Sequence, residues 1–379
     1  MSPETVFSNA VLVLPDAVVS GTVVVRGGKI ADVQRGRSRV AGAIDLDGDY
    51  LIPGAVDVHT DNLERQVLPR THARWPSRSA MVAHDAQCAA AGVTTILDAL
   101  CLGDLGFDTG RIQTFYDGVA DLDALAPTGL LKSEHYLHLR CEIPALDTMA
   151  CLDTVADHPL VRMISLMDHS PGVGQYANIE YYRKLRRSSG LDEAAVDRRI
   201  AELQAQRARV RDPHRRALLD RVQGKGIALA SHDDRTVEEI AENARDGITI
   251  SEFPVTMEAA EAAKNAGMQV ISGAPNLVRG GSHSGNIAAA DLLRAGWVDV
   301  FASDYVPPAL IEAAFRVARE GLAGLPEAVA MISSRPAAMS GLLDRGSLAC
   351  GQRADMVRVR LHETLPVVRQ VWCAGERTI

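Results

Sequence analysis

The stretch Tyr50-Leu-Ile-Pro-Gly-Ala-Val-Asp-Val-His-Thr-Asp61 decides the fold. It is apolar over 51–58 and turns polar at His59 and Asp61. Side chains two apart on an extended chain point to one face, so these two converge. Seven further apolar runs follow, at 93–100, 136–143, 161–168, 226–231, 248–253, 268–273 and 298–303. Each leads into a polar loop or helical stretch, which predicts an α/β protein built as a (β/α)8 TIM-like barrel. Active sites of such barrels lie at the strand C-terminal ends, where the polar residues of this chain cluster.

The flanks follow a different pattern. Residues 4 to 50 read as short strands and turns, with the β-branched run Thr22-Val-Val-Val-Arg26 and the turn Gly27-Gly28. The C-terminus repeats this style at Met356–Arg360 and Val367–Trp372. Neither end has enough strands for a sheet of its own. The expectation is one small β-sandwich from 1–50 plus 341–379, with the barrel over 51–340. About fifty residues at 176–224 exceed what one crossover helix needs. Val196, Ile200 and Leu203 predict an amphipathic helix there, and its many arginines read as a solvated face.

Composition narrows the class of protein. The 379 residues carry 40 basic and 48 acidic side chains, for a formal charge of -8, and five of the basic residues are lysine. A mildly acidic chain is no generic nucleic-acid binder. No apolar run reaches the roughly 18 residues of a membrane span, and the N-terminus lacks the pattern of a signal peptide. Six cysteines without C-x-x-C spacing read as small buried hydrophobes in a reducing compartment. A cytoplasmic location follows as the expectation, with a homodimer left open.

Five strand ends supply chemistry. His59 and Asp61 end the first run, Glu142 the third, His169 the fourth, His232 the fifth and Asp304 the eighth. Buried singly, each would carry its own desolvation cost, whereas a divalent metal turns that cost into binding. Six ligands exceed the three of one catalytic zinc, so two ions are expected, with Glu142 as the bridge. Zinc is favoured, and iron or manganese suits the same donors. Asp304 is placed to accept the proton of an attacking water. Arg140, two residues before Glu142, reads either as a phosphate contact or as a salt bridge to a ligand carboxylate. The glycine-rich loop Val278-Arg279-Gly-Gly-Ser-His283-Ser-Gly-Asn286 offers an arginine fork and backbone N–H groups to an anion, with His283 and Asn286 as further contacts. His84 and Asp85 read as surface or capping residues, Asp98 as structural, and His135 carries no functional expectation.

The chain resembles the amidohydrolase superfamily in its Tyr50–His59 word and split β segment, although His59-Thr60-Asp61 stands where H-x-H is usual. Within it, the chain resembles the PhnM-type hydrolases of phosphonate metabolism nearly end to end. The matching words are His59-Thr-Asp-Asn-Leu-Glu64, His84-Asp-Ala-Gln87, His138-Leu-Arg-Cys-Glu142, Ser165-Leu-Met-Asp-His-Ser-Pro-Gly172, Ala230-Ser-His-Asp-Asp234, Gly273–Asn286 and Ser303-Asp-Tyr-Val-Pro307. The resemblance implies hydrolysis of α-D-ribose 1-methylphosphonate 5-triphosphate, a small phosphorylated sugar, to the 5-phosphate and pyrophosphate. The alternatives are an amidohydrolase acting on an amide or cyclic imide, and a scaffold without activity.

Overall fold

The computed structural model describes residues 4–70, 73–106, 110–188, 192–282 and 285–379. β1 (Glu4–Val13), β2 (Val18–Arg26), β3 (Lys29–Arg35), β4 (Ile44–Asp45) and β5 (Tyr50–Pro53) come first. β6 (Ala55–Thr60), β7 (Val93–Leu102), β8 (Glu134–Glu142) and β9 (Val161–Met167) follow. β10 (Ala228–His232), β11 (Ile250–Glu252), β12 (Gln269–Gly273) and β13 (Val300–Ala302) complete a parallel sheet in sequential order. β14 (Met356–His362), β15 (Leu365–Cys373) and β16 (Glu376–Arg377) end the chain.

Each of the eight apolar runs holds one barrel strand. The first run is split, because β5 pairs with β1 and β14 in the other sheet, and only β6 enters the barrel. Gly54 makes that transfer. A Cβ there would stand 2.2 Å from Thr94 Oγ1, so only glycine lets the chain pass against β7. The barrel closes between its first and last strands. Asp61 N–H donates to the Asp304 carbonyl at 2.7 Å, and Asp304 N–H donates to the His59 carbonyl at 3.0 Å.

The interior of the barrel is aliphatic, with Val56, Val58, Leu97, Met163, Ile250, Ile271 and Val300 in one cluster. Branched side chains fill such a taper without voids, which is how 4% aromatic residues suffice. The second sheet runs β16-β15-β14-β5-β1-β2-β3, with β4 on β1. It curls over its own core of Phe7, Leu12, Ile30, Leu51, Met356 and Trp372. A bridge between Lys29 of β3 and Arg353, just before β14, ties the curl together.

Between β9 and β10 lie helices Ile179–Ser188 and Glu193–Val222. Val196, Ile200 and Leu203 are buried at the predicted spacing. Part of the arginine set is the expected solvated face, with Arg187, Arg198, Arg209 and Arg216 exposed, and part is not. Arg207, Arg211 and Arg215, four apart, turn inward on the long helix. They meet Asp168 at 2.6 Å, Glu242 at 2.7 Å and Asp246 at 2.6 Å. They tie the helix to the barrel by charge, where the hydrophobic stripe is thin. The cysteine expectation holds for Cys88, Cys101, Cys141 and Cys151, whereas Cys350 is exposed.

Candidate active site

A cavity of about 530 Å³ opens at the C-terminal ends of the barrel strands. His59, Asp61, His169, His232, Asp233 and Asp304 line it. Two sets of donor atoms lie close enough to share an ion each, His59–Asp61–Asp304 and His169–His232–Asp233. The closing seam of the barrel puts Asp61 and Asp304 side by side. Asp233, Phe253 and Asp304 all have left-handed backbones, with φ between 55° and 56°. Such a turn at three strand ends re-aims the chain into the mouth, at a cost of about 1 kcal/mol each for residues with a Cβ.

Behind this rim stand two carboxylates that hold the imidazoles. His59 Nδ1–H and His232 Nδ1–H both donate to Glu252, each at 2.7 Å. Ser165 also donates to Glu252, at 2.9 Å. His169 donates to Glu142 twice, from Nδ1–H at 2.6 Å and from its backbone N–H at 2.8 Å. With Nδ1 as donor, each ring presents Nε2 as a lone pair, the usual arrangement of a histidine ready for a metal. Glu142, the expected bridge between two ions, here stands behind His169. Both its oxygens are taken by His169, and it does not line the cavity. The carboxylate that faces His169 and His232 is Asp233, 3.7 and 3.6 Å from their Nε2 atoms.

The donor chemistry fits a cation. His169 Nε2 and Asp233 Oδ2 are buried with no hydrogen-bond partner among the described residues. Burial works against the charged form of His59, but Glu252 and Asp61 outweigh it and raise its pKa to about 10. Burial likewise opposes His169, and Glu142 and Asp233 raise it to about 9. Five carboxylates thus demand positive charge, which protons supply unless metal ions do. Burial and then Asp61 push Asp304 up to about 7. Burial would raise Asp61 too, yet Arg140 and His59 hold it well below the usual carboxylate range.

Arg140 lines the cavity and donates to Asp61 at 2.6 Å, so the salt-bridge reading describes its contact. Arg279 and Asn286 line the wall beyond β12. His283 lies outside the described residues. Among the cavity residues that carried no site expectation are Arg111 after β7, and Tyr176 and Arg186 from the insertion. Asp233 and Glu252 carried none either. For Glu252 a signal existed, since a lone glutamate inside an apolar run needs buried partners.

A second polar cluster corrects the surface reading of His84 and Asp85, which are both buried. His84 Nε2–H and His135 Nδ1–H donate to the two oxygens of Asp98, at 2.7 and 2.8 Å. Asn62 donates to His84 Nδ1 at 3.0 Å, and Asp85 accepts from the backbone of Lys132 and Ser133. Leu97 faces the barrel interior, so Asp98 faces outward to helix Ser77–Ala90, and none of this cluster lines the cavity. Through His84 it holds Asn62, next to Asp61. Burial opposes the charge on His135, but Asp98 and Asp85 raise its pKa to about 9, against about 6.5 unfolded. A raised histidine stabilises fully below the unfolded value and loses that contribution as pH climbs through 9. Melting temperature should therefore fall between pH 7 and 10, by the equivalent of roughly 3 kcal/mol. His135→Gln should make that slope shallower, since the raised His59 and His169 contribute the rest, and an unchanged slope would remove the assignment.

The barrel with its metal-type mouth defines a class of hydrolases, and comparison with known proteins agrees. Residues 191–379 match the model of the amidohydrolase family. The chain belongs to that family. It is 40% identical, over 98% of its length and 99% of the relative, to α-D-ribose 1-methylphosphonate 5-triphosphate diphosphatase of Escherichia coli (strain K12). Among solved structures it resembles N-acetylglucosamine-6-phosphate deacetylase from Pasteurella multocida, with a TM-score of 0.64 at 14% identity over 99% of both chains. Dihydropyrimidinase from Brevibacillus agri NCHU1002 gives a TM-score of 0.61 at 14% identity, over 99% of this chain and 95% of that one. At such identities these structures speak for the fold alone. Among the described residues no helix is long and apolar enough to cross a membrane.

Proposed function

We propose that this protein hydrolyses α-D-ribose 1-methylphosphonate 5-triphosphate to the 5-phosphate and pyrophosphate. The observation that carries the proposal is the 40% identity, along nearly the whole of both chains, to a diphosphatase of that name. The cavity suits the substrate, because Arg111, Arg140, Arg186 and Arg279 all reach a mouth of about 530 Å³. An amide or imide needs no such array of guanidinium groups.

His59, Asp61 and Asp304 would hold one divalent ion and His169, His232 and Asp233 a second. When bound, such ions polarise a phosphoryl oxygen and acidify water. The chain itself does the rest. Glu252 and Glu142 keep three imidazoles in the Nε2-presenting tautomer. Asp304, aimed into the mouth by its left-handed backbone, accepts the proton of the water that attacks the α-phosphorus. The bond from that phosphorus to the α,β-bridging oxygen breaks, and pyrophosphate leaves against guanidinium groups of the mouth other than Arg279.

Incubation of the metal-loaded protein with the triphosphate should release pyrophosphate, seen by phosphorus NMR, in step with the 5-phosphate. A chelator should abolish turnover, and zinc, manganese or iron should restore it. Orthophosphate as the first product, or no turnover with metal bound, would overturn the proposal.

A further inference from the structure

Apart from Arg140, which is paired with Asp61, the arginines at the mouth fall into two groups on opposite walls. Arg111 follows β7 and Arg186 lies on helix Ile179–Ser188 after β9, so this pair flanks the exit of β8. Arg279 follows β12 and is joined on its wall by Asn286. In an eight-stranded barrel, strands four apart stand across the mouth from each other, and β8 and β12 are four apart. The two groups of donor atoms for ions lie between them. Arg111 has Glu64 3.5 Å from its Nε, and Arg186 lies with its guanidinium 5.1 Å from the centre of the Tyr182 ring. Both are thus held over the cavity by neighbours. Arg279 is exposed at the C-terminal end of its short helix, where Gly280 turns the chain with φ of 87°.

From this division we infer that Arg111 and Arg186 bind the departing pyrophosphate, while Arg279 and Asn286 read the methylphosphonate at the other end of the substrate. The inference rests on the proposed activity and sharpens it. The substrate is anionic at both ends and must straddle the centre with its α-phosphorus over the donor sets. Its ends carry unequal charge. The pyrophosphate group bears at least two negative charges as it departs, whereas a methylphosphonate monoester bears one. Two guanidinium forks match the heavier charge, and one fork with a side-chain amide matches the lighter. The insertion between β9 and β10 would then be what adapts a common barrel to a polyphosphate, since it delivers Arg186.

Pyrophosphate itself is the probe, tested as an inhibitor of the metal-loaded enzyme. Arg186→Ala and Arg111→Ala should each weaken its inhibition roughly 10-fold or more, with Arg186→Lys intermediate, while Arg279→Ala changes it less than about 3-fold. Arg279→Ala should instead lower kcat/KM roughly 10-fold or more for the phosphonate-bearing substrate. It should leave ribose 5-triphosphate, which lacks the phosphonate, nearly unaffected. Thermal melting of each variant separates these effects from misfolding. Loss of pyrophosphate inhibition in Arg279→Ala alone would reverse the two walls and overturn the inference. Equal losses on both substrates and the inhibitor in every variant would do the same, by showing one undivided anion pocket. If the triphosphate is not turned over at all, the proposed activity fails. Calorimetry of pyrophosphate with the same variants then still tests the assignment of the Arg111–Arg186 wall.

Discussion

Glu252→Gln is expected to strip the site of metal while the barrel stays folded. Glu252 accepts from both His59 and His232 at 2.7 Å, and from Ser165 at 2.9 Å. An amide of the same shape offers one acceptor and one donor. One of the two imidazoles must then flip its tautomer and turn a proton, not a lone pair, toward the cavity. The carboxylate charge that makes the rings more basic is lost as well. Loss of such an orienting partner weakens metal affinity by roughly 10- to 100-fold, and here two ligands depend on it. Metal content after gel filtration is the measure, with circular dichroism as the control for folding. Full metal retention in Glu252→Gln would show that Glu252 does not govern the ligands. Glu142→Gln should give the same effect on His169 alone, and so a smaller one.

Asp304→Asn should lower kcat by roughly 10²- to 10⁴-fold, the range for loss of a general base. Asp304 also belongs to a donor set, so metal content must be read beside the rate. A variant that keeps its metal and loses its rate isolates the proton-accepting role, and one that keeps both overturns it. The pH profile gives an independent check. Burial and Asp61 raise the Asp304 carboxyl to about 7 in the protein alone. Bound cations favour the carboxylate and pull that value down, so the acid limb of kcat/KM should lie below pH 7. Rate should fall as pH drops through that limb, because the protonated acid cannot accept a proton. In Asp304→Asn the limb should vanish.

Particular residues show where sequence reasoning reached its limit. His59, Asp61, His169, His232 and Asp304 stand at strand ends, and the barrel brings all five around one cavity. Asp233 and Asp234 are indistinguishable as letters after His232. The left-handed turn at Asp233 aims the first into the cavity, and Asp234 turns away to Ser231, Ser251 and Asn243. Glu142 carried the right chemistry at a strand end but meets His169 before it can reach the mouth. Arg186 lies 17 residues beyond His169 in a segment rich in arginine. Nothing local separates it from Arg183, which pairs with Asp197 on the next helix.

What the sequence by itself determined is the succession of eight apolar runs, the polar residues that end them and the strand-rich flanks. These follow from side-chain period and burial, which are properties of neighbours along the chain. Only the tertiary structure decided which carboxylates face the cavity and which orient the histidines behind it. It also decided which arginines, out of so many, reach the mouth. Those outcomes depend on barrel closure at Thr60 and Asp304 and on backbone turns at single residues. Hydrogen bonds between groups far apart in sequence reward one arrangement over another only once the barrel has brought them together.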